Sequence, residues 1–249
     1  MPACQEEEEE FTDRTRYLAA VGALLYLATF TRPDISFTVS VLARHSQKPS
    51  IRHWRVVKHV FRYLRGTEDL GLHYVKTGSS EIIGYADAGY KSDVTTGKSQ
   101  TGYIFLYSNA PISWKSVKQT VTATSTNHSE LIAFHEATRE AVWLRNLHRL
   151  LITQTGLNTP INPTIIYEDN AACVAQVGAG FIKNDRVKHI DPQIFSYTQE
   201  LITSGQIQVQ NVESAHNIAD LLTKALPAYT HRRLVQAAGM RLLHEISSN

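Results

Sequence analysis

Four acidic residues sit where acids are unexpected. Asp87 closes an apolar run, Gly84-Tyr85-Ala86-Asp87. Glu130 falls in the first turn or so of a long amphipathic helix. Asp169 follows Ile165-Ile166-Tyr167-Glu168, and Asp220 lies in Asn217-Ile218-Ala219-Asp220. Strand ends and helix starts converge at one edge of an open sheet. Carboxylates gathered there repel one another, and a hard divalent cation, Mg2+ or Mn2+, offsets that repulsion through oxygen ligands. Two such ions about 4 Å apart can activate a water and stabilise the leaving oxygen at a phosphodiester. The same acids also admit a plain structural reading. Glu130 and Asp220 can be acids favoured by a helix dipole, and Asp87 and Asp169 can be turn residues.

The elements that would position these acids follow from periodicity. Leu18, Val21, Leu24, Leu25 and Leu27 predict a first helix. A second begins after Arg32-Pro33-Asp34, with Phe37, Val41 and Leu42 on one face, and a third carries Trp54, Val57, Val60, Phe61 and Leu64 up to Gly66. Leu70 to Val75 reads as a strand, and Lys76 to Ser80 as a linker. Strands are then expected over Ile82 to Asp87, Gly102 to Tyr107 and Ile112 to Ser116, the last two joined through a turn at Ala110-Pro111. A long helix spans His128 to Leu151 with Leu144, Leu147 and Leu151 on its core face, and Trp143 reads as core. A strand at Thr164 to Tyr167, helices at Ala171 to Val177 and Ile194 to Thr203, a strand at Ile207 to Val212 and a helix from Ile218 to Leu226 complete the series. Antiparallel strands followed by crossover units imply an α/β fold: a mixed sheet flanked by helices.

The expected organisation is an acidic disordered tail over 1–16, a small helical segment over 17–78, the sheet domain over 79–230 and a C-terminal tail over 231–249. The chain has 249 residues, 43% hydrophobic and 19% charged, which excludes wholesale disorder. The formal charge is +2, and setting Glu6 to Glu10 aside leaves about +7 to face a polyanion. Cys4 and Cys173 are too few and too far apart for a disulfide framework. The acidic start lacks the apolar segment of a signal peptide, and the apolar stretch from Tyr17 to Phe30 is too short for a membrane span. An intracellular protein with no membrane partner is expected.

Many short stretches, in order, resemble the ribonuclease H domain of copia-type retrotransposon Pol polyproteins, the plant ones especially. They are Tyr85-Ala86-Asp87-Ala88-Gly89-Tyr90, Ser99-Gln100-Thr101-Gly102-Tyr103, Ile112-Ser113-Trp114-Lys115-Ser116-Val117-Lys118-Gln119, Ala123 to Glu130, Trp143-Leu144-Arg145, Tyr167 to Ala172, Lys188-His189-Ile190-Asp191 and Ala219 to Pro227. Val21 to Leu27, Thr31-Arg32-Pro33-Asp34-Ile35 and His53 to Thr67 are similar to the end of the reverse transcriptase of the same polyprotein, its thumb and connection region. The paired catalytic aspartates of the polymerase are not found in the chain.

The resemblance implies a ribonuclease H-like mixed five-stranded sheet preceded by a small helical segment. It implies a nuclease that cuts the RNA strand of an RNA–DNA hybrid in the cytoplasm or nucleus. It places the family's metal-binding, catalytic acids on Asp87, Glu130, Asp169 and Asp220, holding two Mg2+ or Mn2+ ions, with Asp87 bridging both. Trp114, Lys115 and Lys118 on the hairpin, and Lys183, Arg186 and Lys188 in a polar loop, are candidates to meet the nucleic acid. The basic loop also reads as a merely solvated one. His189 and Asp191 read as positioning the loop and capping the next helix. His216, in the short loop before the last acid, is a product-release candidate or a solvent-exposed histidine. Further partners would be the upstream reverse transcriptase or a second copy. The alternative is a catalytically inactive remnant that binds nucleic acid or a polymerase partner.

Overall fold

The computed structural model describes residues 9–75, 81–156, 161–179 and 192–246. The chain opens with three helices, α1 (Arg14–Phe30), α2 (Ser36–Ala43) and α3 (Ile51–Arg65). Each start has a local cause. The Asp13 side chain accepts from the Arg16 backbone N–H to cap α1. Ser50 and His53 form a reciprocal capping pair at α3. Tyr17, Val21, Leu24 and Ala28 of α1 pack with Val39 and Leu42 of α2 and with Val57 and Val60 of α3. Leu18 and Leu25, which share the predicted periodicity, face outward. The Arg32-Pro33-Asp34 stretch is a buried network. Arg32 donates twice to Asp34, at 2.9 and 2.7 Å, and the Tyr63 hydroxyl donates to the same carboxylate at 2.7 Å.

Beyond the helices, β1 (Leu70–Leu72) is followed by β2 (Ile82–Asp93), β3 (Lys98–Tyr107) and β4 (Ala110–Lys118). Then come α4 (Thr126–Thr155), β5 (Thr164–Glu168), α5 (Ala171–Ala179), α6 (Pro192–Thr203) and β6 (Ile207–Asn211). The five-stranded sheet has the order β4-β3-β2-β5-β6. β2, β3 and β4 pair antiparallel, while β5 and β6 run parallel to β2. The expected mixed five-stranded sheet, flanked by helices and preceded by a helical segment, is therefore present.

Residue alternation sends one face of the sheet against α4, where Phe105, Ile166, Leu131, Phe134 and Ala137 meet. Ile104 and Leu106 point the other way, onto Leu221, Leu222, Leu234 and Met240. This double coverage explains why β3 is buried almost throughout and β2 is buried from Ala86 to Gly89.

Four expectations change. The hairpin turn is Ser108-Asn109, both with positive φ (51° and 60°), the backbone a two-residue hairpin needs. Ala110 and Pro111 already belong to β4, with a register shift between Phe105 and Leu106. The helix predicted over Ile218 to Leu226 is a short 3-10 turn, Ile218–Leu222, capped by the Asn217 side chain. The expected tail from residue 231 instead carries α7 (Ala228–Ala237), β7 (Met240–Leu242) and the short α8 (Leu243–Ile246). β7 pairs with β1 in a separate two-stranded sheet, and Leu234 and Met240 are buried. Finally, Trp143, Leu147 and Leu151 lie on the open side of α4, Trp143 being 58% exposed. Leu144 and Arg145 beside Trp143 are buried, so Trp143 stands on the outward face of a stretch whose inward face is still packed.

Of the predicted acidic tail, residues 1–8 lie outside the described residues, as does the predicted linker at 76–80. No described helix is long and apolar enough to cross a membrane. The helical segment is tied to the sheet unit. Trp114 donates its indole N–H to the Ala28 carbonyl at 2.6 Å, and Arg44 reaches both Asp93 and Gln100.

Close approach of the 218–223 stretch to the sheet depends on two glycines. A Cβ on Gly102 would lie 2.6 Å from Thr223 Cγ2 and 2.8 Å from Leu222 Cβ, and one on Gly89 would lie 2.6 Å from the Thr223 carbonyl oxygen. Gly102→Val is expected to lower stability by about 2 kcal/mol in urea unfolding, the usual scale of overpacking. Gly22→Ala, with nothing within 4 Å of the added methyl, is expected to raise it by about 0.5 kcal/mol. Equal effects at the two positions would contradict this account.

Candidate metal centre

Each acid is delivered by a different element. Asp87 lies on the central strand β2 directly opposite Gly102 of β3. On its other side β5 runs parallel, with Tyr85 against Tyr167. Asp169, the residue after β5, thus arrives at the level of Asp87. Glu130 projects from the start of α4, whose N-terminus is fixed by Ser125 accepting from the His128 N–H. Asp220 sits in the 3-10 turn, which Asn217 ties to β2 by donating to the Ala86 carbonyl at 2.8 Å.

The structure brings all four acids together and adds a fifth. Carboxylate oxygens of Asp87, Asp169 and Asp220 lie within 4.8 Å of one another, and so do those of Glu130, Glu168 and Asp169. The residue common to both groups is Asp169, where the sequence reading gave the shared role to Asp87. Glu168 carried no expectation of its own. The signal for it is parity: Thr164, Ile166 and Glu168 alternate inward along β5, and Glu168 is fully buried.

The electrostatics follow from crowding in a dry place. Asp87 is 1% exposed and Glu130 is 4% exposed. Burial, then the charges of Glu168, Asp87 and Asp169, push Glu130 up to about 10. Burial pushes Glu168 well above the carboxylate range as well, and Asp87 and Asp169 add to it. Asp220 rises to about 6 by burial and the nearby Asp87. Asp87 is raised by burial despite the opposing Lys224 ammonium and Thr223 hydroxyl. The Lys224 Nζ donates to Asp87 Oδ1 at 3.0 Å and to Asp220 Oδ1 at 2.5 Å. Burial works against its charge, but the charge of Asp87 and the bond to Asp220 outweigh that and raise it.

These donors fit a hard divalent cation. They are all carboxylate oxygens, the ligand type such ions take. Glu130 Oε2 and Glu168 Oε2 are buried with no hydrogen-bond partner. Such orphaned acceptors are costly unless a proton or a cation reaches them.

The other candidates are less centred. Trp114 is committed to packing and to the Ala28 carbonyl, so it is a structural residue instead of an open contact for nucleic acid. Lys118 pairs with Asp93 at 3.0 Å, and Lys115 is exposed. His216 is exposed and stands 3.4 Å from Glu213. Lys183, Arg186, Lys188, His189 and Asp191 lie outside the described residues.

No family model matches the chain. It is 33% identical over 235 residues to a retrovirus-related Pol polyprotein from transposon TNT 1-94 of Nicotiana tabacum, covering 94% of this chain and 17% of that one. It is 42% identical over 128 residues to secreted RxLR effector protein 161 of Plasmopara viticola, covering 51% of this chain and 90% of that one. Among solved structures it is similar to LC11-RNase H1, isolated from compost, at 16% identity with a TM-score of 0.43, over 58% of this chain and 94% of that one.

Carboxyls raised in the folded state bind protons more tightly there than in the unfolded chain. Their stabilisation is complete below the ordinary carboxylate range and is lost as pH rises through the folded values. For Asp220 and Glu130 that window runs from about 4 through 6 to about 10. The Tm of the protein in chelator should therefore fall between about pH 5 and pH 9, less steeply in Glu130→Gln, and magnesium should flatten the wild-type slope. Parallel slopes for the two proteins, measured by calorimetry, would remove the raised carboxyl from the account.

Proposed function

The chain belongs to the retrovirus-related Pol polyproteins of plant transposons, which it matches at 31–33% identity, and from that premise we propose that it is a metal-dependent endonuclease hydrolysing the RNA strand of RNA–DNA hybrids. It spans 15–17% of the length of these relatives, so its helical segment is proposed as the end of the reverse transcriptase that precedes the nuclease. The upstream polymerase or a second copy would be its protein partner, inside the cell.

The convergence of Asp87, Glu130, Asp169 and Asp220 carries this reading. Those four would hold two Mg2+ or Mn2+ ions; Asp169 belongs to both carboxylate groups, and Glu168 joins Glu130 and Asp169 in the second. Bound ions of this kind supply an activated water and relieve charge on the leaving 3′ oxygen.

The chain's own residues do the rest. Burial of Asp87 and Glu130 keeps bulk water from competing for their oxygens and strengthens any charge interaction at the site. The Thr223 hydroxyl donates to Asp87 Oδ2 and fixes that carboxylate's rotation. Asp169 and Asp220 are half-buried, on the side from which a phosphate could approach. On the hairpin, Lys115 is the exposed cation left to meet the backbone of the hybrid.

Asp87→Asn is expected to abolish magnesium-dependent cleavage of a labelled RNA–DNA hybrid, with the circular dichroism spectrum unchanged. Cleavage by the wild type should stop in chelator. Wild-type rates in the folded Asn variant would overturn the assignment. A folded wild type that binds the hybrid but never cuts it would favour the inactive remnant.

A further inference from the structure

Lys224 stands four residues after Asp220 and its ammonium sits between two of the proposed ligands, 3.0 Å from Asp87 Oδ1 and 2.5 Å from Asp220 Oδ1. The other oxygen of Asp87 accepts from Thr223. Both oxygens of this buried carboxylate are thus engaged by donors from one short stretch. That stretch is fixed along its backbone, since the Thr223 and Lys224 N–H groups both donate to the Asp220 carbonyl, at 3.3 and 3.2 Å. The lysine side chain is the part of that stretch that reaches solvent. It is 40% exposed and lines an open groove with His59, Tyr63, His231 and Arg232.

A divalent ion entering among Asp87, Asp169 and Asp220 would compete with Lys224 and Thr223 for the oxygens of Asp87 and with Lys224 for one oxygen of Asp220. The Glu130–Glu168–Asp169 group differs, because Glu130 Oε2 and Glu168 Oε2 are buried without any donor. The two halves of the site therefore compensate their charge by different means.

We propose that Lys224 is a positioning residue of the metal centre: its ammonium holds Asp87 and Asp220 together as a built-in counter-ion and leaves for the groove when a divalent ion takes that half of the site. The inference rests on the metal-centre reading above. Two consequences follow from competition for shared oxygens. Ions should bind the two halves with unequal affinity, the lysine-guarded half more weakly. The displaced ammonium should then stand in the groove between residues 34–63 and α7.

The test is Mn2+ binding to the whole chain without nucleic acid, by isothermal titration calorimetry and by electron paramagnetic resonance of free Mn2+. Wild type, Lys224→Met and Lys224→Arg are compared, with circular dichroism as the check on folding. The methionine keeps the side chain's length and removes its charge. It should bind the weaker ion about tenfold tighter, and the metal-induced rise in Tm should grow. Arginine should keep the weaker affinity. Should the methionine variant not fold, Lys224→Gln takes its place with the same expectation. Equal Mn2+ affinities in folded wild type and charge-free variants would overturn the counter-ion role while leaving the metal centre intact. Weaker binding after charge removal would overturn it too. Mn2+ uptake absent from every variant, the charge-free ones included, would overturn the metal centre and this role together.

Discussion

Five carboxyl groups share one end of this fold, and their mutual repulsion is the constraint to which the surrounding structure answers. Two unit charges 4 Å apart cost about 4 kcal/mol at an effective dielectric of about 20. Asp87, Glu130 and Glu168 are all nearly inaccessible to water, so solvent offers them little relief. The relief is divided. Glu130 and Glu168 lean on protonation, as their raised carboxyls indicate. Asp87 and Asp220 lean on the Lys224 ammonium and, for Asp87, the Thr223 hydroxyl. Both devices answer the same excess of negative charge, and a divalent cation could replace both.

Such a cluster draws on several elements, because only the neighbours Glu168 and Asp169 come from one stretch of chain. It is assembled from a parallel pair, a crossover helix and a turn pressed onto the sheet. The parallel register between β2 and β5 sets Asp87 and Asp169 side by side. The β2–β3 register then puts Gly102, with no side chain, opposite Asp87. The vacancy at Gly102 is filled by Leu222 and Thr223, and this brings Asp220 and Lys224 within reach of Asp87. A larger residue at 102 would thus push on Thr223, the donor to Asp87, and through it disturb Asp220 and Lys224.

Much of this was legible in the chain itself. Apolar and β-rich runs bounded by turn residues marked the strands of the main sheet, and the four acids stood out at strand ends and helix starts. The misses share a cause: they depend on contacts remote in sequence. Ile218 to Leu226 has a helical pattern, yet the chain there tightens into a 3-10 turn because Asn217 caps it and Ile218, Leu221 and Leu222 must lie flat on the sheet. Residues 240–242 are strand only because Leu70 to Leu72 offers an edge. Trp114 reads as an exposed hairpin aromatic until Ala28 of a distant helix supplies its acceptor. Glu168 was hidden beside Asp169, since only the inward parity of β5 tells the two acids apart.

The helical segment is bound into the same logic. His231 of α7 donates its ring N–H to the Asp34 carbonyl at 3.0 Å, and the Asp34 side chain is locked by Arg32 and Tyr63. Asp34, Ile35 and Tyr63 line one side of the groove into which Lys224 opens, and α7 lines the other. Trp114 pins the sheet's edge hairpin to α1. The turn that carries Asp220 and Lys224 is therefore supported from the sheet below, from α7 after it and from residues 32–63 beside it. Buried polar networks rigidify a core where their members are satisfied and well supported. The segment ahead of the sheet supplies part of that support, so the 79–230 stretch taken alone would leave the lysine side of the centre less confined than the glutamate side.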